Sequence, residues 1–204
     1  MKTRSTALVS ALASTFVLAG AAFAQTKTFN IVTGDLAYRN LATVESVADF
    51  ETFTGKTTSI SGSIDFDPKK RMGKGSITIK AADVDTGIPL RNDHMRDAQW
   101  LNTAKFPNIT FTTTSVKAAA NDSYTVRGNF TMKGVTKAVT ATVRLRFRAK
   151  GEATAKAGFD GDVVQITTSF NVNLSDYGIK IPQQAVGKVS NTVKISLSAY
   201  AVAK

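Results

Sequence analysis

One histidine limits most of the chemistry this chain could perform. His94 is the only imidazole, and Trp100, the only indole, follows it in the same stretch, Asp85 to Phe111. A Ser–His–Asp hydrolase would have to use His94 as its base, and no Gly-x-Ser-x-Gly elbow is present to offer the serine. The complete absence of Cys excludes thiol catalysis. A zinc site combines several His, Cys or carboxylate ligands, so one His serves it poorly. Asp65 and Asp67 stand two apart on a strand, and Asp67-Pro68 fits turn chemistry better than an acid–base pair. Asp83 and Asp85 could bind a cation, but a turn suits them better. Gly73-Lys-Gly is too short for a phosphate loop. The expectation is a binding module, not an enzyme, with no catalytic set, no metal and no cofactor beyond a possible bound ligand. In such a module Arg91, Asn92, His94 and Arg96 could donate to a polar head group, and Trp100 could close over an apolar chain. The same side chains could instead cap one end of the fold through internal hydrogen bonds.

The elements around this stretch must position it, and they read as strands. Apolar and polar residues alternate along most of the chain, a period that half-buried strands produce and helices do not. Ile60, Gly62, Ile64 and Phe66 face Ile77, Ile79 and Ala81 across a turn at Asp67–Gly73. Ile109, Phe111 and Thr113 mark the next strand, and Tyr124, Val126, Gly128, Phe130 and Met132 the one after. In the longest run Val139, Ala141, Val143, Leu145, Phe147 and Ala149 point one way, with Arg144, Arg146 and Arg148 opposite. Ile166, Phe170, Val172 and Leu174 follow. The last strand carries Val189, Val193, Ile195, Leu197, Ala199 and Ala201. Phe29 and Ile31 open the series. Thr43 to Phe53 is ambiguous, because Val44 and Val47 differ in parity; it holds a bulge or a short helical start, and Gly55-Lys-Thr ends it. Lys150 to Asp162 reads as a small-residue loop. In the central stretch Pro89 suits a first helical position. Leu90, Met95, Leu101 and Phe106 are expected to face a core there, with Arg91, Asn92, Asp93, Arg96 and Asp97 outside or at a rim.

About eight strands, each apolar on one face, are best buried by one antiparallel sheet closed on itself; two stacked sheets would satisfy the same pattern. An eight-stranded barrel has an interior wide enough for packed side chains or one small ligand. The inward row Phe111, Phe130, Val143, Leu145, Phe147, Phe170, Val172, Ile195 and Leu197 is therefore either a filled core or a ligand tunnel.

Residues 1–24 read as a cleaved signal peptide: Lys2 and Arg4, an apolar run from Ala7 to Ala19, then Ala22-Phe23-Ala24. Residues 25–204 form the single expected domain, placed in the periplasm. Of the charged residues, 24 basic and 15 acidic follow the cleavage point, a net charge of 24 minus 15, or +9. That balance permits peripheral contact with an anionic membrane surface. Export argues against a nucleic-acid partner. The oligomeric state stays open, a homodimer included.

The chain resembles the YceI-like family of exported lipid-binding barrels. The resemblance rests on Gly62-Ser-Ile-Asp-Phe-Asp-Pro, Asp85-Thr-Gly-Ile-Pro-Leu-Arg-Asn-Asp-His-Met-Arg, and Trp100-Leu-Asn-Thr-Ala-Lys-Phe-Pro-Asn-Ile-Thr-Phe. Gly128-Asn-Phe-Thr-Met-Lys-Gly-Val-Thr-Lys and Asp176-Tyr-Gly-Ile complete it. It implies a lipocalin-like antiparallel barrel with an elongated apolar tunnel for a polyisoprenoid, an isoprenoid quinone or a similar amphiphile. Two stretches depart from the family pattern, Asn40-Leu-Ala-Thr-Val-Glu-Ser and Asn173-Leu-Ser, and no head-group contact is carried over there. On this resemblance the inward row lines a tunnel, the central stretch is its mouth, and the protein carries, stores or sequesters the lipid. The alternative is a filled barrel acting in the envelope through its basic face, the Arg144, Arg146 and Arg148 row.

Overall fold

The computed structural model describes residues 26–203; the expected signal peptide lies outside the described residues. Ten strands share one antiparallel sheet: β1 (Lys27–Ile31), β2 (Leu41–Val47), β3 (Thr52–Thr57), β4 (Ile60–Asp67), β5 (Met72–Lys80), β6 (Asn108–Ala118), β7 (Ser123–Met132), β8 (Val135–Arg148), β9 (Asp162–Asn173) and β10 (Thr192–Ala203). They run β1-β4-β5-β6-β7-β8-β9-β10, and β1 pairs back with β10, so eight strands close a barrel. β2 and β3 prolong two of its staves. β10 pairs with β1 at Ala201 and Val202 and with β2 from Val193 to Ser198. The break between β1 and β2 is bridged by the fully buried Asn40, whose amide donates to the Val32 carbonyl (2.7 Å) and accepts from the Tyr200 N–H (3.0 Å).

Alternation places the inward rows as the sequence pattern requires. Tyr124, Val126, Phe130 and Met132 on β7 are all buried. Arg144, Arg146 and Arg148 stand exposed on the outer face of β8. The Thr43–Phe53 run is neither bulge nor helix. It is the end of β2, a turn, and the start of β3, and Gly55 to Thr57 lie inside β3. The parity misled because the inward place after Ala42 and Val44 belongs to a polar residue, Ser46. It is buried and its hydroxyl accepts the Ser190 N–H (2.9 Å), while Val47 points outward, 61% exposed. The expected loop at Lys150–Asp162 holds a short helix, α2 (Glu152–Lys156). Beneath it Phe159 stacks on Tyr200 outside the barrel, 5.7 Å between ring centroids.

The central stretch forms α1 (Pro89–Arg96), with Pro89 in the first turn, followed by turns to Pro107. It lies over the barrel end formed by the starts of β6, β8 and β10. Lys133 and Gly134 both take positive φ in the two-residue β7–β8 turn, the twist that closes a hairpin. A Cβ on Gly134 would lie 2.5 Å from the Phe106 ring, so glycine there lets the lid settle onto the hairpin.

Candidate functional site

The barrel interior has two different halves. At the end away from α1, Phe29, Phe66, Tyr124 and Phe147 meet edge to face, with centroids 6.0–6.4 Å apart. Small residues, Ala199 and Ala201, lie fully buried beside them. This half is a plug. At the α1 end a cavity of about 560 Å³ remains, within the usual size range of small-molecule sites. Its walls include Val44, Ile79, Ile109, Met132, Val193 and Ile195, and its roof is Ile88, Leu90, Met95, Trp100 and Leu101. A narrower side chamber of about 110 Å³ runs deeper, lined by Ile77, Phe111, Val143, Leu145, Phe170 and Leu197. Ile79, Ile109 and Ile195 border both spaces and form the waist between them.

The structure therefore divides the predicted inward row. Phe111, Phe130, Val143, Leu145, Phe170, Ile195 and Leu197 border one or both spaces. Phe147 does not; its ring is a member of the plug, 6.2 Å from Phe29. Val172 does not either, being buried in the cluster of Phe130, Leu174 and Tyr177. The interior is neither a wholly filled core nor a tunnel from end to end.

The predicted mouth is divided too. Arg91, His94 and Trp100 border the large cavity. Arg91 pairs with Glu51 and lies over the Phe53 ring, 4.4 Å from its centroid. Asn92 is not at the rim: it is buried, and its hydrogen bonds are internal. Its carbonyl oxygen accepts the Thr86 N–H and hydroxyl (2.8 Å each), and its amide donates to Asp85 (2.6 Å). Arg96 donates to the Ala82 carbonyl (2.9 Å) and pairs with Asp93, outside the cavity. Leu90 was expected to face a core and is instead 64% exposed at the cavity edge. Asn92 and Arg96 thus cap the barrel end, while Arg91, His94 and Trp100 face the space.

The lid is held at several points. Asp85 and Lys56 exchange two backbone hydrogen bonds, which tie the lid to β3 (2.8 and 2.9 Å). Hydrogen bonds from the Gly87 N–H and then the Asn92 amide hold the Asp85 carboxyl below its usual pKa. Lys133 donates to the Gln99 carbonyl (3.1 Å), and partial burial lowers its pKa. Behind Phe130, burial and then the Asp176 charge push the Tyr177 phenol up. The remaining rim comes from Glu51, Gln184, Ala185 and Lys188, none singled out by sequence. Lys188 alone carried a hint, as a charged residue directly before Val189. Among the described residues, no group of three or more His, Cys, Asp or Glu could hold a metal ion.

The space is thus lined mostly by apolar side chains, with Ser46 and Thr57 buried in the β2–β3 wall and the charged groups Glu51, Arg91 and Lys188 at one opening. A family model described as the YceI-like domain matches residues 26–201. A UPF0312 protein of Pseudomonas aeruginosa (strain LESB58) is 35% identical over 148 residues, covering 71% of each chain. Another, of Shewanella sp. (strain ANA-3), is 33% identical over 156 residues and covers 74% of each. Among solved structures, BcnA of Burkholderia cenocepacia superposes with a TM-score of 0.69 at 21% identity, over 81% of this chain and 98% of BcnA. A polyisoprenoid binding domain of Saccharophagus degradans, implicated in plant cell wall breakdown, gives 0.65 at 17% identity, over 88% and 100%. At these identities the structural likeness speaks for the fold.

Proposed function

The chain belongs to the YceI-like family, and on that premise we propose that the hollow end of its barrel holds an isoprenoid or similar amphiphilic lipid. An isoprenoid quinone is one such ligand. One observation carries this: a cavity of about 560 Å³ with mostly apolar walls and its charged groups at the rim. An apolar tail would lie between Val44, Ile79, Ile109 and Val193, and a polar head would stay near Arg91, His94 and Lys188. The Saccharophagus degradans neighbour, a polyisoprenoid binding domain, supports the same ligand class.

The magnitudes fit. Fifteen tail carbons at ~0.8 kcal/mol each give about 12 kcal/mol of burial. An association cost of at least ~4 kcal/mol leaves at most about 8 kcal/mol, so micromolar binding is the upper limit for such a tail. Binding and release need no bond chemistry, so the protein acts as a periplasmic carrier or sequestering protein and not as an enzyme. Trp100 closes over the tail from the lid.

Mass spectrometry of an organic extract from the mature protein, purified from its native compartment, tests this. A stoichiometric polyisoprenoid or quinone is expected. A clean extract, from protein that also fails to take up added quinone, overturns the proposal.

A further inference from the structure

The barrel ladder is incomplete along two seams: between β8 and β9 beyond Thr142–Ser169, at the lid end, and between β5 and β6 toward the plug end, where the side chamber reaches it. β5 pairs with β6 only from Ser76–Thr112 to Lys80–Asn108. On either side the pairing runs further, to Asp67–Met72 between β4 and β5 and to Ala118–Tyr124 between β6 and β7. Met72–Gly75 and residues 113–118 therefore border each other without rungs. A register shift in β6 between Thr113 and Ser115 accompanies the parting. The side chamber ends at this seam, where Gly73, Gly75, Thr113 and Val116 line it. Gly73 and Gly75 take inward places on β5, so no side chain from them blocks the gap.

At the foot of the seam one side chain spans it. The Arg71 guanidinium, from the β4–β5 turn, donates to the carbonyls of Ala119 and Ser123 and lies 5.2 Å from the Tyr124 centroid. The surface around the seam is basic. Lys69, Lys70, Lys74 and Lys117 are exposed there, and Met72 is 63% exposed at the edge. The nearby carboxylates offset this only in part. Asp65 accepts the Thr28 hydroxyl (2.6 Å) and lies 4.0 Å from Lys74. Asp67 is buried and accepts the Lys69 and Lys70 N–H groups. Asp122 lies in the β6–β7 turn.

Resting on the lipid-binding proposal above, we propose that this seam is a lateral gate, docked on an anionic phospholipid bilayer, through which the apolar chain is exchanged. An unladdered strand edge in water is normally paired or covered. A second copy is disfavoured as the cover, because the lysines of two such edges would repel. An anionic bilayer complements the lysines and is also the apolar reservoir the chamber needs. Arg71 is the clasp: releasing its two carbonyls frees the β5 edge from the β6–β7 turn.

Two measurements test the gate. In flotation with vesicles of phosphatidylglycerol and phosphatidylcholine, the ligand-free protein is expected to bind. Pure phosphatidylcholine vesicles, high salt, or Lys69→Glu/Lys70→Glu/Lys117→Glu should each weaken that binding at least ~tenfold. Equal binding to both vesicle types overturns the docking, as would a stable dimer that the triple variant dissolves. Because the chain has no Cys, Lys74→Cys/Thr114→Cys gives a reversible cross-link across the seam. The oxidised form should transfer a fluorescent C15 prenol to acceptor vesicles at least ~tenfold more slowly than the reduced form, with reductant restoring the rate. Val116→Trp, which fills the seam without a cross-link, should slow transfer likewise. Unchanged transfer in both overturns the gate alone. Failure of every form to take up the prenol overturns the lipid-binding proposal itself, and the gate with it.

Discussion

The plugged half and the hollow half of this barrel share the same alternating strands and differ in the volume their inward residues supply. The plug gathers Phe29 and Phe66 from β1 and β4 against Tyr124 and Phe147 from β7 and β8, across the barrel, and small residues such as Ala199 and Ala201 complete it. In the hollow half three aromatic side chains cluster on one wall, where Phe130 meets Phe170 and Tyr177 at 5.4 and 5.6 Å. The opposite wall, on β2 and β3, carries Val44 and Phe53, but its other inward places are the small Ala42, Ser46, Gly55 and Thr57. Too little side-chain volume comes from that wall to fill the space, so a lid closes over it. The lesson is that a closed sheet sets the perimeter, and the sizes of its inward residues decide whether it is a core or a container.

The largest expected difference between the halves is in stability. Phe66→Ala removes the ring at the centre of the plug and should lower the unfolding free energy by about 3–5 kcal/mol in urea denaturation. Met95→Ala, facing an existing cavity from the lid, should cost less than half as much. Equal losses would erase the distinction between the halves. Next in size is the capping of the lid. Asn92→Ala leaves Thr86 without its acceptor and Asp85 without a donor, a loss of about 1–3 kcal/mol. Hydrogen exchange should locate that loss at residues 85–97 and spare the amides of β4 and β7. Faster exchange spread evenly over the barrel would mean that lid and plug are one cooperative unit.

The perimeter was legible in the sequence because strand alternation records it directly: the β7 row Tyr124, Val126, Phe130, Met132 and the Arg row of β8 are where the period-2 pattern puts them. What alternation cannot record is depth along the stave. Phe147 and Leu145 are two residues apart on the same face, yet one is plug and the other borders the side chamber. That difference depends on which residues of the other seven staves reach the same level. The lid shows the same limit. Asn92 and His94 both read as polar residues of a short helix, and only the partners Asp85 and Thr86, seven and six residues back, turn Asn92 inward. Ser46 misled for a related reason. A buried hydroxyl satisfied by Ser190, 144 positions away, looks in sequence like an outward residue.

A waist substitution sharpens the comparison from the hollow side. Ile109→Trp fills the constriction shared by the two spaces and should weaken uptake of a C15 prenol at least ~tenfold, about 1.4 kcal/mol. Its stability should shift by no more than about 1–3 kcal/mol of overpacking. Undiminished uptake would confine the ligand to the outer cavity.

The smallest effect separates the halves by acid. Asp85 in the lid and Asp162 at the plug end both have folded pKa values below the ordinary 3.8. Asp85 is held there first by the Gly87 N–H, Asp162 first by the Lys27 ammonium at 2.6 Å. A depressed folded value means that the folded state favours the carboxylate. Each contribution is therefore fully present above the unfolded pKa and is lost as pH falls through the lowered folded one. Neither should change stability between about pH 5 and 8. Below about pH 4 the lid should loosen, and Trp100, the only Trp, reports it by fluorescence. Asp85→Asn keeps an acceptor for Gly87 and Asn92 without a titrating proton, so it should flatten the early part of that acid transition. Asp162→Asn should leave the Trp100 signal unaltered there and affect only global unfolding. An unchanged Trp100 transition in Asp85→Asn would show that the lid is held by its apolar contacts, Leu101 and Phe106, and not by the Asp85 knot.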